Sequence, residues 1–111
     1  MKRSSPAYVW AVKRTEEYPN IQDFQPYDMA VCALLDSYYP EKINFSALDP
    51  NSHIKNLELS VKVMEELGIQ IMFYPDELIR YDKVENKILL TQLAAMKLVL
   101  SPNKPNNTAV N

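Results

Sequence analysis

Few side chains in this sequence could carry chemistry. His53 is the single histidine and Cys32 the single cysteine. A nucleophilic pair would need the thiol and the imidazole within hydrogen-bond reach, with a third group orienting the base. Cys32 lies inside Met29-Ala30-Val31-Cys32-Ala33-Leu34-Leu35, the most apolar stretch, where a thiol behaves as a small inert hydrophobe. His53 stands at the start of a predicted helix, where the dipole does not favour its charged form. Asp49, Asn51, His53 and Asp76 match no zinc or calcium ligand spacing, and a solvated loop accounts for them. The carboxylates Glu65, Glu66, Asp76 and Glu77 could be pictured as an acid and a base, but no feature marks a cleft around them. Solvated faces and helix ends explain them. Gly68 is the only glycine, so neither a GxGxxG turn, a Walker phosphate loop nor a GxSxG nucleophile elbow can be written. The reading is a non-enzyme, with no catalytic, cofactor or metal residue expected.

Binding residues are the alternative. Lys2, Arg3, Lys13 and Arg14 gather at the two ends of a predicted first helix, beside Tyr8, which is a candidate both for core material, with Val9, Trp10 and Val12, and for an exposed aromatic. The plain reading is a charged helix end, because Glu16 and Glu17 dilute the positive field. Tyr38, Tyr39, Tyr74 and Tyr81 could build an aromatic surface, although amphipathic rings at the core edge are the more ordinary use.

The elements that must position these residues are legible from periodicity. Ser5-Pro6 offers an N-cap and a proline at the first helical position, and Ala7 to Glu17 then runs without a breaker to Pro19. Met29, Cys32 and Leu35 recur at steps of three within Asp28 to Tyr39, a helix apolar on several sides and ended by Pro40. Ile54, Leu57, Val61 and Met64 form the stripe of a third helix, with Ser52 as N-cap and Gly68 as a left-handed C-terminal residue. Leu89, Leu93, Met96 and Leu100 define a fourth, from Val84 or Glu85 to Leu100, closed by Ser101-Pro102. Ile69 to Tyr74 could pass for a strand on residue type, but no partner run exists. The stretch therefore reads as an apolar connector, with a short helical turn through Asp76-Glu77-Leu78-Ile79. The expected core is Trp10, Cys32, Leu35, Leu57, Val61, Leu89 and Leu93.

Bulk properties narrow the class. The chain has 111 residues, 47% hydrophobic and 23% charged, which suits one globular domain. Twelve basic against fourteen acidic residues leave a net charge of −2, with no basic footprint for nucleic acid. Apolar runs such as Leu98 to Leu100 are far below the roughly 20 residues of a membrane span. After the basic start at Lys2 and Arg3, the charges from Lys13 to Glu17 interrupt before a secretory apolar core could form. A single cysteine excludes an internal disulfide and suits a reducing compartment. Residues 1–6 read as an N-terminal extension and 101–111 as a flexible tail or linker.

The order of motifs resembles the calponin homology domain. Trp10 looks like that family's first-helix tryptophan, and Met29 to Leu35 is similar to its "LAFCALI" helix. Tyr39-Pro40-Glu41-Lys42-Ile43-Asn44-Phe45, with Leu48 after it, looks like the "RPDLIDY" connector. Asn56, Ser60, Val61, Val63 and Glu65-Glu66-Leu67-Gly68-Ile69 resemble "N…AF.VAEKLGI". Glu77-Leu78-Ile79 stands where the family writes "DIV", and Glu85, Lys87 and Leu89-Leu90-Thr91 stand where it writes "D.R.IMT". Two departures are visible. Phe24-Gln25-Pro26-Tyr27-Asp28 replaces "SW.DG", with Phe24 in the tryptophan's place, and Val84-Glu85 replaces "PD".

The resemblance covers Ala7 to Leu100 and implies an all-α fold of four main helices with shorter connecting helices. It also implies an interaction module that binds, or helps bind, filamentous actin in the cytoplasm, with the first helix on the actin-facing surface. Lys2, Arg3, Tyr8, Lys13 and Arg14 are the residues it puts there. The connector with Pro40 and Ile43 is more like the second domain of tandem actin-binding pairs, or single copies of that subtype, which makes a neighbouring domain of the same family a possible partner. The alternative is a signalling or scaffolding domain that binds a regulatory protein, a neighbouring domain or microtubules.

Overall fold

The computed structural model describes residues 5–72, 74 and 86–103. Four α-helices follow one another: α1 (Pro6–Thr15), α2 (Tyr27–Tyr38), α3 (His53–Leu67) and α4 (Asn86–Leu100). Short 3-10 turns at Phe45–Ala47 and Ser101–Asn103 complete an all-α architecture, with no strand among the described residues. Helix α2 packs against α3, while α1 packs against both α2 and α4. The predicted turn at Asp76 to Ile79, and the predicted start of α4 at Val84 or Glu85, lie outside the described residues.

Local chemistry explains the ends. The Ser5 hydroxyl accepts from the Tyr8 amide at 3.1 Å, and Pro6 occupies a first-turn position where no N–H is needed. Gly68, at φ 79°, closes α3, and the Ile69 amide reaches back to the Met64 carbonyl at 2.8 Å. Ser52 stands at the N-cap of α3 as expected, but its side chain makes no cap bond. Its hydroxyl donates instead to Asp49 at 3.1 Å.

The core follows the periodic positions. All seven residues from Met29 to Leu35 are buried, so α2 is the central helix, and Leu57, Val61 and Met64 of α3 and Leu89, Leu93, Met96 and Leu100 of α4 belong to the same core. Trp10 differs from expectation. It packs against the core only partly buried, and its indole N–H donates to the Tyr38 hydroxyl at 3.1 Å. An indole keeps a polar edge, and here that edge sets how deeply the ring can sink.

Phe24 is fully buried, although it belongs to the loop before α2. Gln22 and Gln25 exchange backbone hydrogen bonds of 3.0 and 3.1 Å, and the two residues between them, Asp23 and Phe24, both have positive φ (53° and 60°). That is the signature of a mirror-image tight turn, which glycine and asparagine favour and phenylalanine does not. The turn persists because it delivers the Phe24 ring to the core, where burial of an aromatic side chain contributes roughly 1.5–3 kcal/mol.

The connector after α3 solves its backbone problem without a second strand. Gln92 of α4, wholly buried, accepts from the Met72 amide at 2.7 Å and donates to the Gln70 carbonyl at 2.9 Å. One side-chain amide thus substitutes for a neighbouring strand.

Candidate interaction surface on the first helix

Helix α1 has a buried face and a solvent stripe. Ala7, Tyr8, Ala11 and Thr15 point inward, whereas Pro6, Val9, Lys13, Glu16 and Glu17 are exposed. Lys13 is the cation of that stripe. Val9 is 49% exposed and adds an apolar contact point one helical turn away.

The other predicted binding residues do not share the stripe. Tyr8, read both as core material and as an exposed candidate, is buried, which corrects the exposed reading, and its hydroxyl donates to the Asp23 carbonyl at 3.0 Å. The helical period explains the correction, since Tyr8 sits beside Ala7 and Ala11 on the core face. Arg14 is half-buried and committed within the chain. Its Nε donates to the Ser37 hydroxyl at 3.0 Å and Nη2 to the Ser37 carbonyl at 2.8 Å, and its guanidinium carbon lies 3.7 Å from the centroid of the Tyr38 ring. A cation here meets one of the orphan carbonyls at the α2 C-terminus, where the macrodipole favours it. Lys2 and Arg3 lie outside the described residues.

The remaining chemistry-bearing groups are engaged elsewhere. Cys32 donates to the Asn56 carbonyl at 3.3 Å, and burial, followed by the nearby Asp28 charge, pushes its thiol up to about 12. His53 turns its Nδ1 to the buried Asp28 carboxylate at 3.1 Å. The two residues therefore serve different neighbours. Asp49 accepts from the Asn51 amide at 2.9 Å and from Ser52, so this loop binds itself. Glu66 pairs with Lys42 at 3.2 Å, an exposed bridge worth roughly 0.2–1 kcal/mol. Asp76, Glu77 and Tyr81 lie outside the described residues, and Tyr38 is buried while Tyr39 is half-buried.

Asn56 is the residue that sequence reasoning undervalued. Buried on α3, it donates to Asp28 at 3.2 Å and to the Asp49 carbonyl at 2.9 Å. It therefore fastens the start of α2, the connector and α3 at one point. An asparagine inside an otherwise apolar helical face was the available signal.

The comparisons fit this architecture. The model of the calponin homology (CH) domain family matches residues 7–100, and the chain belongs to that family. It is 29% identical over 107 residues to the F-actin-monooxygenase mical1 of Danio rerio, covering 91% of this chain and 9% of that protein. It is 29% identical to cytospin-A of Xenopus tropicalis over 93 residues, which is 78% of this chain and 8% of the relative. Sarcomeric alpha-actinin of Drosophila melanogaster is 28% identical over 92 residues, again 78% of this chain and 10% of the relative. The chain spans about a tenth of the length of these curated relatives. No described helix is long and apolar enough to cross a membrane.

Proposed function

We propose that this domain is a non-catalytic interaction module that binds, or helps bind, filamentous actin within a longer cytoplasmic, cytoskeletal protein. The observation that carries the reading is membership of the calponin homology family, with relatives such as one whose name places its chemistry on F-actin. The exposed stripe of α1 is the contact surface. Lys13 supplies charge complementary to an acidic filament and Val9 supplies apolar area. Lys2 and Arg3 would extend the positive charge at the other end of the helix. Tyr8 and Arg14 act from behind as positioning residues, holding α1 against the loop and against α2.

Co-sedimentation with filamentous actin at low and raised salt tests this reading, with Lys13→Glu as the variant. Lys13 is solvent-exposed, so its charge can be reversed without disturbing the core. Salt-sensitive pelleting that weakens in the variant supports the α1 surface. Absence of pelleting at high protein concentration rejects a filament-binding role for the isolated domain.

A second reading has its own observation. Leu98 of α4 is 78% exposed, beside a shallow depression of about 460 Å³ lined by Pro6, Ala7, Leu90 and Ala94. An apolar residue so placed suits contact with a neighbouring domain of the same polypeptide, in keeping with a scaffolding or regulatory role. Weak pelleting that recovers when a second domain of the family is fused to the chain would favour it.

A further inference from the structure

We propose that the groove between the loop after α1, helix α2 and the Asn44–Pro50 connector docks a short peptide segment that presents a bulky apolar side chain next to a lysine or arginine. This site lies apart from the α1 stripe and does not depend on actin binding.

The groove has a volume of about 630 Å³. That is within the range of roughly 300–1,000 Å³ that suits inserted side chains. Its floor is apolar: Ile21, Met29 and Phe45 are buried, and Tyr18 is half-buried beside them. Tyr18 and Phe45 meet edge to face at 5.0 Å, which fixes both rings before a ligand arrives. The turn at Asp23 and Phe24, anchored by the buried Phe24 ring, holds the nearby loop. Pro19, Pro26 and Pro50 are exposed along its walls, with Asn20, Asn44 and Ser46 beside them. Prolines carry no N–H, so those three positions offer no main-chain donor to a peptide. The amide of Phe45 is already given to Asp36 at 2.8 Å. Side chains therefore carry much of the recognition.

Charge selects the ligand. Glu17 and Asp36 line the groove, and among the described residues no lysine, arginine or histidine does. The Asp36 carboxylate accepts from the Tyr18 hydroxyl and the Phe45 amide, each at 2.8 Å. Both donors are neutral, so its negative charge stays uncompensated by them, and each oxygen keeps a further acceptor site. The Arg14 charge is felt at Tyr18, but its guanidinium is held by Ser37 and the Tyr38 ring and does not line the groove. A half-buried carboxylate in the lining of an apolar groove complements a cation attached to an apolar segment. An acidic or purely polar peptide would meet repulsion or lose its own hydration without return.

The test is selection of a random peptide library displayed on phage against the whole chain. Enriched sequences are then labelled, and their binding is followed by fluorescence anisotropy to the chain and to Glu17→Lys, Pro50→Arg and Lys13→Glu variants, each with its melting curve. We expect enriched peptides to carry an aliphatic or aromatic residue within a few positions of Lys or Arg. Binding should weaken by about fivefold in Glu17→Lys, the scale of one exposed charge interaction. It should also weaken in Pro50→Arg and persist in Lys13→Glu. Absence of enrichment, enriched peptides without a basic residue, or unchanged affinity in both groove variants would overturn the proposal. Loss of binding in Lys13→Glu alone would do so too, by moving the peptide to α1.

Discussion

Arg14 of α1 and Ser37 of α2 are joined twice, at 3.0 Å through the hydroxyl and at 2.8 Å through the carbonyl, while the guanidinium lies over the Tyr38 ring. One turn earlier on α1, Trp10 donates to the hydroxyl of the same tyrosine. Two side chains at i,i+4 spacing thus grip the last turn of the central helix, one through a charge and one through an indole. A basic residue at the end of a surface helix has become the cap of its neighbour.

Arg14→Ala should destabilise the domain by about 1.5–3 kcal/mol, the range for hydrogen bonds to a charged group. Arg14→Lys should recover only part of this, because an ammonium cannot reproduce the planar fork. Trp10→Ala should lose about 3 kcal/mol, at the low end for aromatic truncation since the ring is only partly buried. Urea denaturation checks all three, and an unchanged midpoint in Arg14→Ala would dismiss the clamp.

Asn56 and Asp28 should show coupling in a double-mutant cycle. Asn56→Ala leaves a buried carboxylate short of a donor and takes one of two donors from the Asp49 carbonyl, which keeps the Ser52 amide at 3.0 Å, so we expect a loss of about 1–3 kcal/mol. In an Asp28→Asn background the cost should shrink, with an interaction energy above roughly 0.5 kcal/mol. His53→Ala should cost less, because that ring is 59% exposed and its pairing is screened by solvent. Strict additivity of the Asn56 and Asp28 changes would contradict a shared network.

Gln92→Ala should release the connector from α4. Removing the amide takes both an acceptor from Met72 and a donor from Gln70. Amide exchange at Met72 should accelerate well before global unfolding. Equal exchange in wild type and variant would show that the connector is held by other contacts.

The thiol of Cys32 should resist alkylating and disulfide reagents in the native protein at pH 8 and react fully in denaturant. Burial raises its pKa from 9.0 to about 12 in the folded state. The folded form therefore holds this proton more tightly than the unfolded chain. Any stability tied to this group is fully present below pH 9.0 and falls as pH rises toward about 12. The Tyr18 phenol shifts in the same direction, from its burial and then from the bond and charge of Asp36. Denaturation midpoints measured across this alkaline window should fall progressively. Rapid thiol labelling of the native state at pH 8 would refute the buried assignment.

The helices and the family are legible in local pattern alone. Pro6, Pro40 and Gly68 punctuate them, the apolar steps choose the buried faces, and the run from Met29 to Leu35 marks the central helix, because all of these are effects of neighbours within a turn or two. What the polar residues do is set by the packed fold. Arg14 meets Ser37 across 23 positions, Asn56 meets Asp28 across 28, and Gln92 meets Gln70 across 22. Tyr8, open to either reading in the sequence, lies on the core face with Ala7 and Ala11 because the rest of the chain covers that side of α1. Periodicity fixes a side chain's direction around its own helix. The identity of the group it then meets depends on how distant segments pack, and no local pattern carries that information.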